Sequence, residues 1–334
     1  MRRELIFKAF DRQPVSRVPL GFWFHFLPEA ETSDWRENLR LAEKNAAGHQ
    51  AFIRAFKPDM VKIMSDGFFF YPSAGIYQPV DLPMIKVLEP DSSWIKAQVS
   101  LVRRVRAMQE DAAYFYNIFS PVTSLRFKIG LGRLKIFAEA QPEALGKALD
   151  RMGQGLARLA AAVIAEGGAD GIYLSVQNPD STFFSQDFYQ KHFAPSERAV
   201  LEAAAGAGGR NILHICGYAG VRNNLSSYAG YPAAAVNWAV NIEKVSLEQG
   251  RAIFQKPVLG GFDNTPDSVL VRGTKAEIKE QTRDIIRRAG PLGLIVGADC
   301  TLPEDISLEH LEWVREACSE AIRFGGSEVR NFLD

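Results

Sequence analysis

The sequence has few of the features that mark membrane, disulfide-rich or nucleic-acid-binding proteins. The longest aliphatic stretch of its alanine-rich segment, residues 159–165, is far shorter than the roughly 18 apolar residues that cross a bilayer. Three cysteines in 334 residues, an odd number, argue against a disulfide framework and for a reducing compartment. The formal net charge is zero and no basic tail occurs, which argues against nucleic acid as a partner. We therefore expect a cytoplasmic protein with no membrane span.

Further absences bear on domain organisation and on cofactors. The glycine-rich segment 206–209 precedes an apolar run, whereas a dinucleotide-binding loop follows one. No linker, low-complexity segment or repeat of 20–50 residues interrupts the chain, so we expect one domain over residues 1–334. Residues 1–11 have the pattern of an amphipathic helix interrupted by charge rather than that of a signal peptide.

Eight short apolar runs alternate with helical patterns along the chain. The predicted strands cover residues 20–26, 59–67, 114–119, 171–177, 211–217, 233–238, 257–263 and 294–300. This alternation predicts an α/β protein with a single (β/α)8 TIM barrel and an additional N-terminal helix. After the third strand we expect a loop in which Arg126, Lys128 and Arg133 are solvated, with contact to an anionic group as the alternative.

A histidine and two cysteines end two of these runs. In a strand, residues two apart point to the same side, so His214 and Cys216 can both face the barrel axis. Cys300 closes the last run and would lie on the same rim. One imidazole and two thiolates suit zinc, and three protein ligands leave a fourth position open. The alternative is that these are ordinary buried rim residues, as we expect for Cys318 in its helical segment.

Other polar residues end the remaining predicted strands and share that rim. His25 lies at the end of the aromatic first run, where a structural role is the alternative to a functional one. Asp66 is followed by glycine, a combination that also occurs in ordinary turns. The polar residues at predicted strand ends are Asp66, Gln177, Cys216, Asn237, Asp263 and Cys300.

These motifs resemble the uroporphyrinogen decarboxylase superfamily over most of the chain. The similar segments are residues 64–66, 168–171, 259–263 and 297–303. The resemblance implies a TIM barrel with its site at the C-terminal mouth. It also implies one of two activities: decarboxylation of a tetrapyrrole, or zinc-dependent transfer of a methyl group from a methylcobalamin-type corrinoid to a thiol such as coenzyme M.

Within that superfamily the sequence is most similar to the zinc branch. That branch carries a His-x-Cys pair and a distant cysteine, which correspond here to His214, Cys216 and Cys300. The decarboxylases lack the pair and have N-terminal arginines for substrate carboxylates, whereas the first run here contains none. Asp66 matches the aspartate with which decarboxylases hold pyrrole nitrogens, so a tetrapyrrole substrate stays open as an alternative.

The resulting hypothesis is a zinc-dependent methyltransferase that uses a methylcorrinoid, free or on a partner protein, and a small-molecule thiol. His214, Cys216 and Cys300 would hold the zinc, with Asp66 as a further catalytic residue. The candidate cofactor-binding residues are His25, Gln177, Asn237 and Asp263. A substrate thiol, water, Asp263 or Glu243 would fill the fourth zinc position. One alternative is a metal-free decarboxylase, and another is a corrinoid- or thiol-binding protein without turnover. The resemblance also allows a homodimer.

Overall fold

The computed structural model describes residues 1–27, 39–68, 70–72, 75–109, 111–177 and 183–325. The strands are β1 (Leu20–Gly21), β2 (Met60–Ile63), β3 (Ala113–Phe119), β4 (Gly171–Val176), β5 (Ile212–Ile215), β6 (Ala235–Trp238), β7 (Val258–Phe262) and β8 (Leu294–Ala298). The helices are α1 (Arg2–Phe10), α2 (Leu39–Phe56), α3 (Ser93–Arg106), α4 (Pro121–Ile129), α5 (Leu131–Ala140), α6 (Pro142–Ala165), α7 (Gln186–His192), α8 (Ala194–Gly206), α9 (Val240–Glu243), α10 (Leu247–Phe254), α11 (Val269–Arg272), α12 (Lys275–Ala289) and α13 (Leu308–Gly325). Short 3₁₀ helices lie at Pro79–Met84, Tyr218–Gly220 and Leu225–Tyr228.

The eight strands form one parallel sheet that nearly closes into a barrel. Their order is β1-β8-β7-β6-β5-β4-β3-β2, so β1 and β2 stand at the two ends of the order and meet at the seam. A side chain spans this seam: Asp59, just before β2, accepts the backbone N–H of Leu20 at 2.8 Å. Arg17 donates to the same carboxylate at 2.7 Å. The predicted (β/α)8 barrel is therefore confirmed.

Side chains along each strand alternate between the barrel interior and the layer beneath the helices. On β2, Val61 and Ile63 belong to the large core between sheet and helices, whereas Met60 belongs to the smaller core inside the barrel. On β5, Leu213 and Ile215 likewise pack outward. Residues at the intervening positions of these strands therefore point toward the barrel axis.

Helix α1 covers the end of the barrel at which the strands begin. Its residues Ile6, Ala9 and Phe10 are buried in the interior core. Arg3 forms an ion pair with Asp170, just before β4, and similar contacts join the end of α1 to the segments before β5 and β7. The N-terminal helix predicted from residues 1–11 is thus confirmed, and it closes the bottom of the barrel.

The structure corrects the segment after β3. The predicted loop is wrong, since the chain forms α4 and α5 there, although Arg133 is exposed as expected. Ser120 accepts the backbone N–H of Thr123 at 3.2 Å and Pro121 occupies the first helical turn, so this Ser-Pro pair starts a helix rather than a turn. Among the described residues, no helix is long and apolar enough to cross a membrane.

Candidate metal centre

Strands β5 and β8 bring His214, Cys216 and Cys300 together at the carboxyl-terminal mouth of the barrel. His214 lies within β5 on its inward face, and Cys216 follows the strand's last residue on the same side. Cys300 lies two residues beyond the end of β8. The Sγ atoms of Cys216 and Cys300 are 3.7 Å apart, and Cys300 Sγ is 3.6 Å from His214 Nε2. Among the described residues these three form the one set of histidine, cysteine and acidic side chains with metal-ligand spacing.

These separations match the chemistry of a tetrahedral zinc site. Zinc bonds of about 2.3 Å to sulfur and about 2.0 Å to nitrogen place two sulfurs about 3.8 Å apart, and a sulfur and a nitrogen about 3.5 Å apart. The two distances that involve Cys300 fall within 0.1 Å of these values, and all three ligand atoms lie within 4.8 Å of one another, so binding the ion would need at most a modest adjustment between His214 and Cys216. Three protein ligands in a tetrahedral site leave a fourth position for another molecule.

Asn237, on β6, fixes the orientation of the His214 ring. Its Nδ2 donates to the backbone carbonyls of Leu259 at 2.9 Å and Ala298 at 3.2 Å, so its Oδ1 faces His214. Oδ1 accepts from His214 Nδ1 and also from the hydroxyl of Tyr173 at 2.9 Å. With Nδ1 donating to Asn237, the imidazole ring turns its Nε2 toward the two sulfurs. Asn237 therefore acts on the ligand histidine rather than lining the mouth.

The two thiols differ in how readily they lose a proton. The hydrogen bond with Cys300 and burial raise the pKa of Cys216 well above its ordinary value. The same hydrogen bond, together with the hydrogen bond from His214 and the charges of His214 and Lys62, lowers the pKa of Cys300 well below its ordinary value, against the effect of burial. Cys300 is therefore the more acidic thiol of the pair.

Gln177, just beyond β4, links the sulfur pair to a cation. Its Nε2 donates to Cys216 Sγ at 3.6 Å, and its Oε1 accepts from the guanidinium of Arg126 on α4. Arg126 is half-buried and its guanidinium lies 5.6 Å from the ring centroid of Tyr218. The sequence-based expectation that Arg126 is solvated is therefore wrong, because α4 turns it toward the mouth.

Asp66 and His25 meet on the other side of the mouth. Asp66 is fully buried, and its Oδ1 is 2.8 Å from His25 Nδ1. Its Oδ2 accepts from the backbone N–H of Phe26 at 2.8 Å and from Asn45 Nδ2 at 3.2 Å. Both carboxylate oxygens are thus bonded within the protein. The structure brings Asp66 and His25 together but does not join either to the ligand set.

Neither acidic candidate for a fourth ligand joins the ligand set. Asp263, after β7, accepts the backbone N–H of Thr265 at 2.8 Å and belongs to a local turn. Glu243 accepts from the backbone and side-chain amides of Asn223, whose Nδ2 also donates to the carbonyl of Cys216 at 3.0 Å. Glu243 therefore supports the loop that follows the His-x-Cys pair.

Lys62 is a residue near the site that the sequence reasoning did not single out. It lies on the inward face of β2, and its side chain is buried at 5% exposure. Its ammonium packs 4.1 Å from the ring centroid of Tyr173. The sequence feature that could have identified Lys62 is a charged residue at an inward position of a buried strand, because such residues are rare without a function or a partner.

Comparisons with known proteins agree with this architecture. A model of the family described as uroporphyrinogen decarboxylase (URO-D) matches residues 1–321. No curated protein sequence matches the chain. Among solved structures, the chain resembles a methyltransferase from Methanosarcina mazei, with a TM-score of 0.74, 17% identity and coverage of 96% of this chain and 98% of that one.

More distant solved structures share the barrel as well. A B12-independent methionine synthase from Shewanella sp. W3-18-1 in complex with selenomethionine has a TM-score of 0.58 and 14% identity, covering 92% of this chain and 98% of that one. A β-mannanase from the blue mussel Mytilus edulis has a TM-score of 0.52 and 12% identity, covering 91% and 92%. At such identities the likeness shows the fold alone. The family assignment comes instead from the match over residues 1–321: the chain belongs to the uroporphyrinogen decarboxylase (URO-D) family.

Proposed function

We propose that this protein is a zinc-dependent methyltransferase that moves a methyl group from a methylcorrinoid to a thiol. The observation that carries the proposal is the convergence of His214, Cys216 and Cys300 at the barrel mouth with metal-ligand spacing. Two findings support it: the chain belongs to the URO-D family, and its fold resembles that of a Methanosarcina mazei methyltransferase.

The three candidate metal ligands and Asn237 have separate roles in this reaction. His214, Cys216 and Cys300 would hold the zinc, which when bound would lower the pKa of a substrate thiol to give a thiolate at neutral pH. Asn237 keeps His214 Nε2 turned toward the two sulfurs. Cys300 is half-buried whereas His214 and Cys216 are buried, so the side of Cys300 is the more open approach.

The transfer balances without a redox partner. The substrate sulfur forms the new S–C bond with its own electron pair, and the pair of the broken Co–C bond stays on the cobalt. The thiol proton goes to water. The methylcorrinoid, free or on a partner protein, would lie over the mouth because α1 covers the opposite end of the barrel.

The structure offers less support for decarboxylation of a tetrapyrrole. In that alternative, Asp66 would hold pyrrole nitrogens. Here Asp66 is fully buried and both of its oxygens accept hydrogen bonds from His25, Phe26 and Asn45. We therefore assign Asp66 to the architecture of the mouth rather than to the reaction.

The test combines metal content with methyl transfer. The parent protein should contain about one zinc per chain and convert methylcobalamin and a thiol into the S-methyl product, followed by absorbance and mass spectrometry. Cys216→Ser should lower the affinity for zinc by more than about a thousandfold, and methyl transfer should be lost with the metal. Cys318→Ala is the matched control, since Cys318 is buried in α13 away from the mouth.

Three other outcomes would decide against the proposal. Turnover of a tetrapyrrole that survives Cys216→Ser would favour a metal-free decarboxylase. Zinc and tight corrinoid or thiol binding without product from any methyl donor would favour a binding protein. A parent protein that holds no zinc after reduction and reconstitution would remove the metal centre itself.

A further inference from the structure

Lys62 carries a positive charge into the barrel interior without a carboxylate to pair with it. Its side chain is 5% exposed and extends from the inward face of β2, between Met60 and Met64. Among the described residues, no hydrogen bond or ion pair engages its ammonium. A buried charge of this kind is costly unless the surroundings stabilise it, so its presence calls for a physical reason.

Two aromatic rings hold the ammonium in place. Lys62 Nζ lies 4.1 Å from the ring centroid of Tyr173 and 4.9 Å from that of Trp23. Ring faces attract a cation but carry no net charge, so they stabilise the ammonium without neutralising it. The indole Nε1 of Trp23 also has no acceptor among the described residues, which leaves this region rich in donors.

The same two rings lie against the ligand histidine. The centroid of the His214 ring is 5.5 Å from that of Tyr173 and 6.1 Å from that of Trp23. Tyr173 and Trp23 therefore contact both Lys62 and the ligand histidine, and all four side chains are buried. In a buried cluster of this kind, a charge acts on its neighbours more strongly than it does through solvent.

The negative groups that act on Lys62 are mainly the two sulfurs of the centre. Burial lowers the pKa of Lys62 to about 8, while the charges of Cys300, Cys216 and Asp66 oppose that shift. The ammonium is therefore the major form at neutral pH. The charge of Asp66 also acts on Lys62, but less than that of either sulfur.

We propose that Lys62 is a positioning residue that makes the fourth position of the metal centre prefer a thiolate over a neutral ligand. A divalent ion with one imidazole and two thiolates is neutral overall. A third thiolate makes the centre negative, and a fixed cation that shares the Tyr173 and Trp23 rings with the ligand histidine then stabilises that state specifically. A neutral fourth ligand leaves the charge at zero and gains nothing from Lys62. This inference rests on the proposed function.

The test measures ligand binding at the Co(II)-substituted protein rather than turnover. The visible spectrum is titrated with 2-mercaptoethanol, which binds as a thiolate, and with imidazole, which binds without charge. We expect Lys62→Met to weaken thiol binding about tenfold and to change imidazole binding less than twofold. Lys62→Arg, which keeps the charge, should restore most of the thiol affinity.

Equal loss of both affinities would mean that Lys62 only supports the packing, and no loss of either would overturn the inference outright. If Lys62→Met does not fold, Lys62→Gln removes the charge while keeping a polar side chain. Because the readout is binding, the absence of methyl transfer in the parent would leave this test intact. A parent protein that does not bind Co(II) would remove both this inference and the proposed function.

Discussion

Two polar corners of the barrel mouth differ in whether their side-chain atoms are free to bind a ligand or are already hydrogen-bonded within the protein. The thiol corner (His214, Cys216, Cys300) has a ring nitrogen and two sulfurs that converge on one another. The carboxylate corner (Asp66, His25, Asn45) has a buried carboxylate whose oxygens are bonded within the protein. Both corners follow apolar strands and both contain residue types common in active sites. Whether a side chain can bind a metal or substrate therefore depends on the hydrogen bonds that it already makes within the protein.

The largest effect should come from removing the carboxylate. Asp66→Ala leaves the Phe26 N–H, Asn45 Nδ2 and His25 Nδ1 without an acceptor, and we expect the free energy of unfolding to fall by about 3 kcal/mol. Zinc content should stay at about one per chain. Urea unfolding and metal analysis measure the two quantities on the same sample. Loss of zinc at unchanged stability would reverse the roles assigned to the two corners.

A substitution of Asn237, which hydrogen-bonds to the histidine of the thiol corner, should instead lower zinc affinity. Asn237→Ala removes the acceptor that orients His214, so zinc affinity should fall roughly 10- to 100-fold in competition with a chelator. Asn211→Ala is a matched control: Asn211 is also a buried asparagine, and its Oδ1 accepts the backbone N–H of Ile172 at 2.9 Å, at the opposite end of the barrel. The comparison fails if both variants lose the metal equally.

The smallest expected effect is the pH dependence of folding stability that arises from His49, a buried histidine beside the carboxylate corner. Burial lowers the pKa of His49 from 6.5 to about 4, and its Nε2 accepts the backbone N–H of Met64 at 3.0 Å. The unfolded chain therefore binds the proton first, so stability is complete above pH 6.5 and declines as the pH falls toward 4. Between pH 7 and 5.5 we expect a loss of about 1 kcal/mol from this group.

His49→Gln isolates that contribution, because it removes the titrating ring and keeps groups able to donate and accept. Urea unfolding at both pH values should show a smaller decline in the variant than in the parent. An equal decline would assign the pH dependence to other groups.

Local patterns were sufficient to predict the barrel and the convergence of His214, Cys216 and Cys300. Alternation with a period of two put His214 and Cys216 on one side of β5. Parallel strands then placed Cys300 on the same rim. The first run was harder to interpret: residues 20–26 are apolar, but pairing with β8 includes only Leu20 and Gly21. Burial of Phe22, Trp23 and Phe24 explains the composition without a longer strand.

The remaining errors concern residues whose roles depend on distant partners. Asp66 was singled out by type, but its hydrogen bonds come from segments far away in the chain, and no local pattern shows them. Arg126 was assigned to solvent because a loop was expected after the third strand, where Ser120 and Pro121 in fact start a helix. Lys62 was overlooked since its meaning depends on rings supplied by β4 and by the segment after β1.

Helix α1 has a consequence for the order of events at the site. Since Ile6, Ala9 and Phe10 fill the lower end of the barrel, the mouth is the single route along the barrel axis among the described residues. In the proposed reaction, the thiol and the methylcorrinoid would then both reach the site through the mouth, and the corrinoid macrocycle would be broad enough to cover it. The small thiol would have to enter first, and the methylated product would leave only after the corrinoid had moved away. We therefore expect compulsory-order kinetics, and a random order in initial rates would contradict this arrangement.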